Sequence, residues 1–130
     1  MLRIYTLVLA GMLGLGVAGC GSGGSEDGYF DAAWSLAYAS DGVAATCAGT
    51  GTTEVHLDVQ ESHTSEVYHD TFACAAYGGT TASLPVGDYI VTLRAYDNFH
   101  TASVSEVDFP DTYPIHAGEV TTLPGVTLEY

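Results

Sequence analysis

From Trp34 onward the chain alternates between apolar and polar residues. Trp34, Leu36 and Tyr38 are separated by Ser35 and Ala37, and Asp41-Gly42 then supplies a turn. Val55, Leu57 and Val59 alternate with Glu54, His56, Asp58 and Gln60, which predicts a strand with one wet face. Glu61 to Glu66 is polar and turn-like, and Val67 to Cys74 reads as the return strand, with Tyr68, Phe72 and Cys74 on one face. Tyr89, Val91, Leu93 and Ala95 alternate with Ile90, Thr92, Arg94 and Tyr96. Val104, Val107 and Phe109 make a weaker, irregular strand that Pro110 should end. Val120 to Tyr130 closes the chain, bent at Pro124-Gly125. No window longer than about ten residues places apolar side chains at helical spacing.

Six to eight short strands between turn residues predict an all-β fold, an antiparallel two-sheet β-sandwich. Enrichment in Val, Thr and Tyr agrees with it. There is no internal repeat, and the one low-complexity segment is a Gly/Ser stretch near the N-terminus. Within Leu84-Pro85-Val86-Gly87-Asp88-Tyr89-Ile90-Val91, the proline sets a bend, Gly87 is expected at positive φ, and Tyr89 and Val91 enter the core. The segment resembles the Leu-Pro-x-Gly-x-Tyr-x-Val stretch of carboxypeptidase-regulatory-like, prealbumin-like and immunoglobulin-like sandwiches. Together with the Trp34 strand, two cysteines and Gly118-x-Val120, it makes the chain similar to small lipoproteins of the myxobacterial type. That resemblance marks a fold and implies no active site.

Residues 1–19 change the picture of where the domain resides. Met1-Leu2-Arg3 is followed by an uncharged run from Ile4 to Ala18, the layout of a secretory signal. A spanning helix would need about 20 apolar residues with a charged stop, and here the run breaks into Gly-Ser-Gly-Gly instead. Val17-Ala18-Gly19-Cys20 resembles the lipobox of bacterial lipoproteins, in which the peptidase cuts before the cysteine and its sulfur carries diacylglycerol. By that resemblance 1–19 is a cleaved leader and Cys20 is the lipidation site. Residues 20–28 form a flexible tether with nothing to pack, and 29–130 a single domain. Gly21 is not the aspartate that retains enterobacterial lipoproteins at the inner membrane, which favours the outer membrane.

The chain has 16 acidic and 2 basic side chains and no lysine. Without the leader, all 16 acids face one base, Arg94, a formal charge of −15. Such a surface repels phosphate backbones and anionic headgroups, which excludes nucleic acid as a partner; the lipid anchor is the expected route to the membrane. Evenly spread acids also suit a salty medium. Cys47 and Cys74 remain after Cys20, and an even pair in an exported domain predicts a disulfide. Closing about 27 residues contributes roughly 3.5 kcal/mol by loop entropy. A redox or metal-binding thiol pair would want Cys-x-x-Cys spacing, which is absent.

The five histidines, His56, His63, His69, His100 and His116, carry what chemistry the sequence offers. If Gln60 faces Val67 across the turn, then Asp58 faces His69 and Leu57 faces Asp70. That register groups His56, Asp58 and His69 on one surface, with His63 able to join from the turn, as candidate zinc or copper ligands. It also turns Asp70 toward the core, which counts against the register or requires a bulge. The calcium-like segments Asp97-Asn98 and Asp108-Phe109-Pro110-Asp111 lack a hard-cation loop's spacing. No Gly-x-Ser-x-Gly elbow occurs, and Gly49-x-Gly51 is too short for a phosphate loop. Tyr96, Tyr113 and Tyr130 are candidates either to stack on sugars or to cover core edges. The expectation is a non-catalytic envelope module without cofactor that binds a protein or glycan, with a His/Asp metal face as the alternative.

Overall fold

A computed structural model describes residues 27–99 and 102–130. The expected leader, the expected lipidation site Cys20 and His100 lie outside the described residues. The chain runs β1 (Asp27–Ala37), β2 (Ala44–Ala45), helix α1 (Cys47–Thr50), β3 (Thr52–Glu61), β4 (Val67–Ala73), a 3-10 turn (Cys74–Ala76), β5 (Gly78–Thr80), β6 (Leu84–Pro85), β7 (Gly87–Asp97), β8 (Ser103–Ile115), β9 (Val120–Thr122) and β10 (Val126–Glu129). Among the described residues no helix is long and apolar enough to cross a membrane.

The expected sandwich is present. One sheet is a continuous four-stranded ladder in the order β4-β3-β7-β8, antiparallel throughout. The other is organised on β1, which pairs antiparallel with β6, β5 and β2 along its length. The inward alternants Val55, Leu57, Val59, Tyr89, Val91, Leu93 and Ala95 meet Phe30, Ala32, Trp34 and Leu36 from β1 in one core. Period-two alternation along β1 and β7 is therefore the direct record of which face is dry.

Four local expectations are corrected. β1 begins at Asp27, two residues inside the predicted tether, because Asp27 and Gly28 pair with Pro85 and Leu84. Gly28 fits there because any Cβ would strike the carbonyls of His116 and Glu119. β8 does not end at Pro110 but continues to Ile115. As an edge strand it needs no outward N–H from a proline, and Pro110 falls where the β7–β8 register shifts between Ile90 and Thr92. The closing segment is split at Pro124-Gly125 into β9 and β10, and both run parallel to β1 within an otherwise antiparallel fold. Gly87 is not at positive φ. Its reason is space, since a Cβ would lie 3.1 Å from Glu61 Oε1.

The connections are fixed by specific bonds. Tyr89, fully buried, donates its hydroxyl to Pro85 O at 2.6 Å and so ties the start of β7 to β6 four residues upstream. Burial, first, and then nearby phenolic and carboxylate charge push the Tyr89 hydroxyl up to about 12. Cys47 and Cys74 form the expected disulfide, with Cα atoms 5.9 Å apart. Trp34 Nε1 donates to Cys74 O at 3.2 Å, and the indole packs on Phe72. Because α1 leads into β3 and the 3-10 turn leads out of β4, the bridge clasps the β3–β4 hairpin where it leaves and rejoins the β1 sheet.

Candidate functional site

The solvent face of the four-stranded sheet arranges its side chains in rows. Val67, Gln60, Ile90 and Thr112 are in register across the four strands. The next row is His69, Asp58, Thr92 and Asp108, followed by Thr71, His56, Arg94 and Glu106. The register derived from the turn thus holds, with Asp58 opposite His69 and Leu57 opposite Asp70, and no bulge intervenes. Asp70 does point inward. It is half-buried because β4 is an edge strand, and its Oδ1 accepts Ala82 N–H at a long 3.4 Å.

The three predicted residues come together, but as members of a larger network. His69 Nδ1 donates to Asp58 Oδ1 at 2.5 Å, while the other Asp58 oxygen accepts from Arg94 Nη1 at 2.7 Å. Arg94 Nε donates to Glu106 Oε2, also at 2.7 Å. The Glu106 carboxylate, with the charges of Glu106 and Asp58, raises the Arg94 guanidinium further above its usual range. His56 Nε2 donates to Glu54 Oε2 at 2.9 Å, and its ring lies 4.7 Å from that of His69 and 4.2 Å from that of Tyr96. Among the described residues no three His, Cys, Asp or Glu side chains converge as a metal-holding group. The physical obstacle at this spot is Arg94: a guanidinium on Asp58 occupies the place and repels the charge of a cation.

Sequence reasoning placed Glu54 on the wet face of β3 but did not connect Glu54, Arg94 or Glu106 with the group of His56, Asp58 and His69. A signal was available, since alternation places Arg94 on the wet face of β7 and it is the single base apart from Arg3. What was lacking was the β3–β7 pairing that sets Arg94 opposite His56. A shallow depression of about 290 Å³, lined by Asp58, Gln60, Val67, Ile90, Thr92 and Arg94, adjoins the network. Its size is at the lower end for small-molecule sites.

The other candidates have structural employment. His63 pairs with Glu61, at 3.1 Å, rather than with His56 and His69. The Glu61 carboxylate also accepts the N–H groups of Thr64 and His63 at 2.6 and 2.9 Å, closing the turn between β3 and β4. Those bonds, the Thr64 N–H foremost, hold the Glu61 carboxyl down at about 2 against the opposing effect of burial. Asp97 accepts from Phe99 N–H, and Asp108 from the Thr92 hydroxyl. Tyr113 and Tyr130 pack against the core, so they cover its edges. Among the described residues no buried side-chain polar atom lacks a hydrogen-bond partner. A scan against protein-family models and searches of the curated proteins and the solved structures found no match.

Proposed function

We propose that this is a non-catalytic, lipid-anchored lipoprotein of the cell envelope, whose sandwich serves as a structural or adhesive binding module for a protein or glycan. The observation that carries the reading is the division of the cysteines: Cys47 and Cys74 bond to each other, and Cys20 is left at the end of Val17-Ala18-Gly19-Cys20. A structural disulfide belongs to an oxidising compartment, which agrees with export. Two or three acyl chains on Cys20, at about 0.8 kcal/mol per buried methylene, would make attachment effectively permanent. The absence of aspartate at position 21 favours the outer membrane. The Tyr89–Pro85 bond is of the kind that closes corners in immunoglobulin-like sandwiches, which supports that finer description over the prealbumin-like one.

The test is expression of the full chain in a bacterial host, followed by detergent partitioning and intact mass. Acylation that disappears in Cys20→Ala and persists in Cys47→Ala is the expected result; a soluble, unacylated exported protein overturns the reading. The approach of His56 to His69 keeps zinc or copper binding as a second reading. It requires a rise in melting temperature with either ion that is lost in His56→Ala and His69→Ala. Displacement of Arg94 from Asp58 would have to accompany it.

A further inference from the structure

The two edges of the four-stranded ladder are finished differently. β8 carries Pro110 and Pro114, an irregular register, and side-chain bonds that stitch it to the other sheet: Ser105 donates to Glu129 O and Thr121 to Pro114 O. Such features block strand addition. β4 contains neither proline nor glycine and pairs over all seven of its residues with β3 alone. Glu61 N–H donates to Glu66 O, so that pair is hydrogen-bonded, and the antiparallel alternation then directs the backbone groups of Tyr68, Asp70 and Phe72 toward β3. The N–H and C=O groups of Val67, His69 and Thr71 and the N–H of Ala73 point out from the sheet edge, while the Ala73 carbonyl caps the 3-10 turn. Val67 is 61% exposed.

One residue on this edge departs from the alternation. Asp70 stands on the inner face between the half-buried aromatic rings of Tyr68 and Phe72. A charge turned inward on an edge strand prevents indiscriminate pairing. The self-pairing register that uses all seven residues of β4 places Asp70 directly opposite its own copy, and like charges at that position repel. A strand that sets a cation against Asp70 gains what a second copy loses. Apolar residues two positions to either side of that cation would extend the core over Tyr68 and Phe72.

We infer that the open edge of β4 accepts by strand addition an extended segment of a partner protein, with the pattern apolar-x-basic-x-apolar, and that Asp70 selects it. The inference deepens the binding-module reading and rests on it. The probe is a short synthetic peptide alternating threonine with valine, lysine and valine, compared with its glutamate and all-valine counterparts. Fluorescence polarisation and amide exchange of the whole domain should show binding of the lysine peptide with new protection at Val67, His69, Thr71 and Ala73. Thr71→Pro removes an outward N–H without touching the β3 ladder and should weaken binding about tenfold or more. Should that variant not fold, Ala73→Pro replaces it, because Ala73 already has φ −63°. Asp70→Val should bind the all-valine peptide or dimerise through β4.

Equal binding to a folded proline variant, or protection elsewhere, would assign the lysine peptide to the general acidity of the surface and overturn the proposal. No binding by any peptide also overturns it. A wild-type dimer with β4 amides already protected would give the edge to a second copy. A partner retained by folded Thr71→Pro would sink strand addition while leaving the binding-module reading intact; failure of acylation would do the reverse.

Discussion

The two sheets reach the same core by opposite means. The β4-β3-β7-β8 sheet consists of long strands joined over most of their length, so the residues of β3 and β7 are held by neighbours on both sides and those of β4 and β8 by a long ladder on one. The β1 sheet has one long strand and five partners of two to four residues, none able to hold a ladder unaided. Its order is borrowed from β1, from packing against the opposite sheet and from a few anchoring bonds, such as Thr81 Oγ1 accepting Phe30 N–H. Length gives the first sheet autonomy, and context gives the second sheet shape.

The comparison can be broken most forcefully at Phe30, which is fully buried on β1 and meets Tyr89 edge to face. Phe30→Ala should cost about 4 kcal/mol in urea unfolding, and it should release the β5 and β6 amides to exchange before those of β3 and β7. Uniform loss of protection would show that the two sheets are one cooperative unit. Cys47→Ala with Cys74→Ala should cost about 3.5 kcal/mol, measured in the same way. Because the bridge clasps the hairpin where the chain passes between sheets, the β1 sheet should again loosen first.

Tyr89→Phe removes the bond between the sheets at Pro85 and should cost about 1 kcal/mol. It also probes alkaline stability. The folded hydroxyl titrates at about 12 against an ordinary 10, so its contribution is complete below 10 and is lost as pH rises toward 12. The phenylalanine variant should therefore show a flatter alkaline limb in a stability-versus-pH profile. Glu61 acts within the ladder sheet alone and has the opposite sign. Its folded carboxyl at about 2 lies below the ordinary 4.5, so its contribution is present above 4.5 and lost as pH falls toward 2. Glu61→Gln should flatten the acid limb while leaving the β1 amides unaffected. The smallest effect belongs to Arg94→Gln on the wet face, at most about 1 kcal/mol and shrinking in high salt.

What could be read in the sequence follows the same division. Val55-Leu57-Val59 and Tyr89-Val91-Leu93-Ala95 announced β3 and β7 because long alternation has a single explanation. The β3–β4 register followed from the turn, and with it the meeting of His56, Asp58 and His69. Ala44–Ala45, Gly78–Thr80 and Leu84–Pro85 carry no period of their own and become strands only because β1 lies beside them. Gly79 is a strand residue because the Phe72 ring occupies the place of its missing side chain. An inward Asp70 counts against the register, or asks for a bulge, until β4 is known to be an edge strand, where there is room for an inward carboxylate.

The parallel pairing of the closing strands has a mechanical consequence. Asp27 lies at one end of β1, and Tyr130, bonded to Ala37 and Ala39, at the other, about 33 Å away by strand rise. A pull between these two points runs along β1 and against β9 and β10, so the bonds joining them are loaded side by side in shear rather than peeled one after another. A domain held at its Asp27 end and tugged at the far end would resist in its stiffest direction, and its lifetime under load would be set by the rate of that concerted rupture.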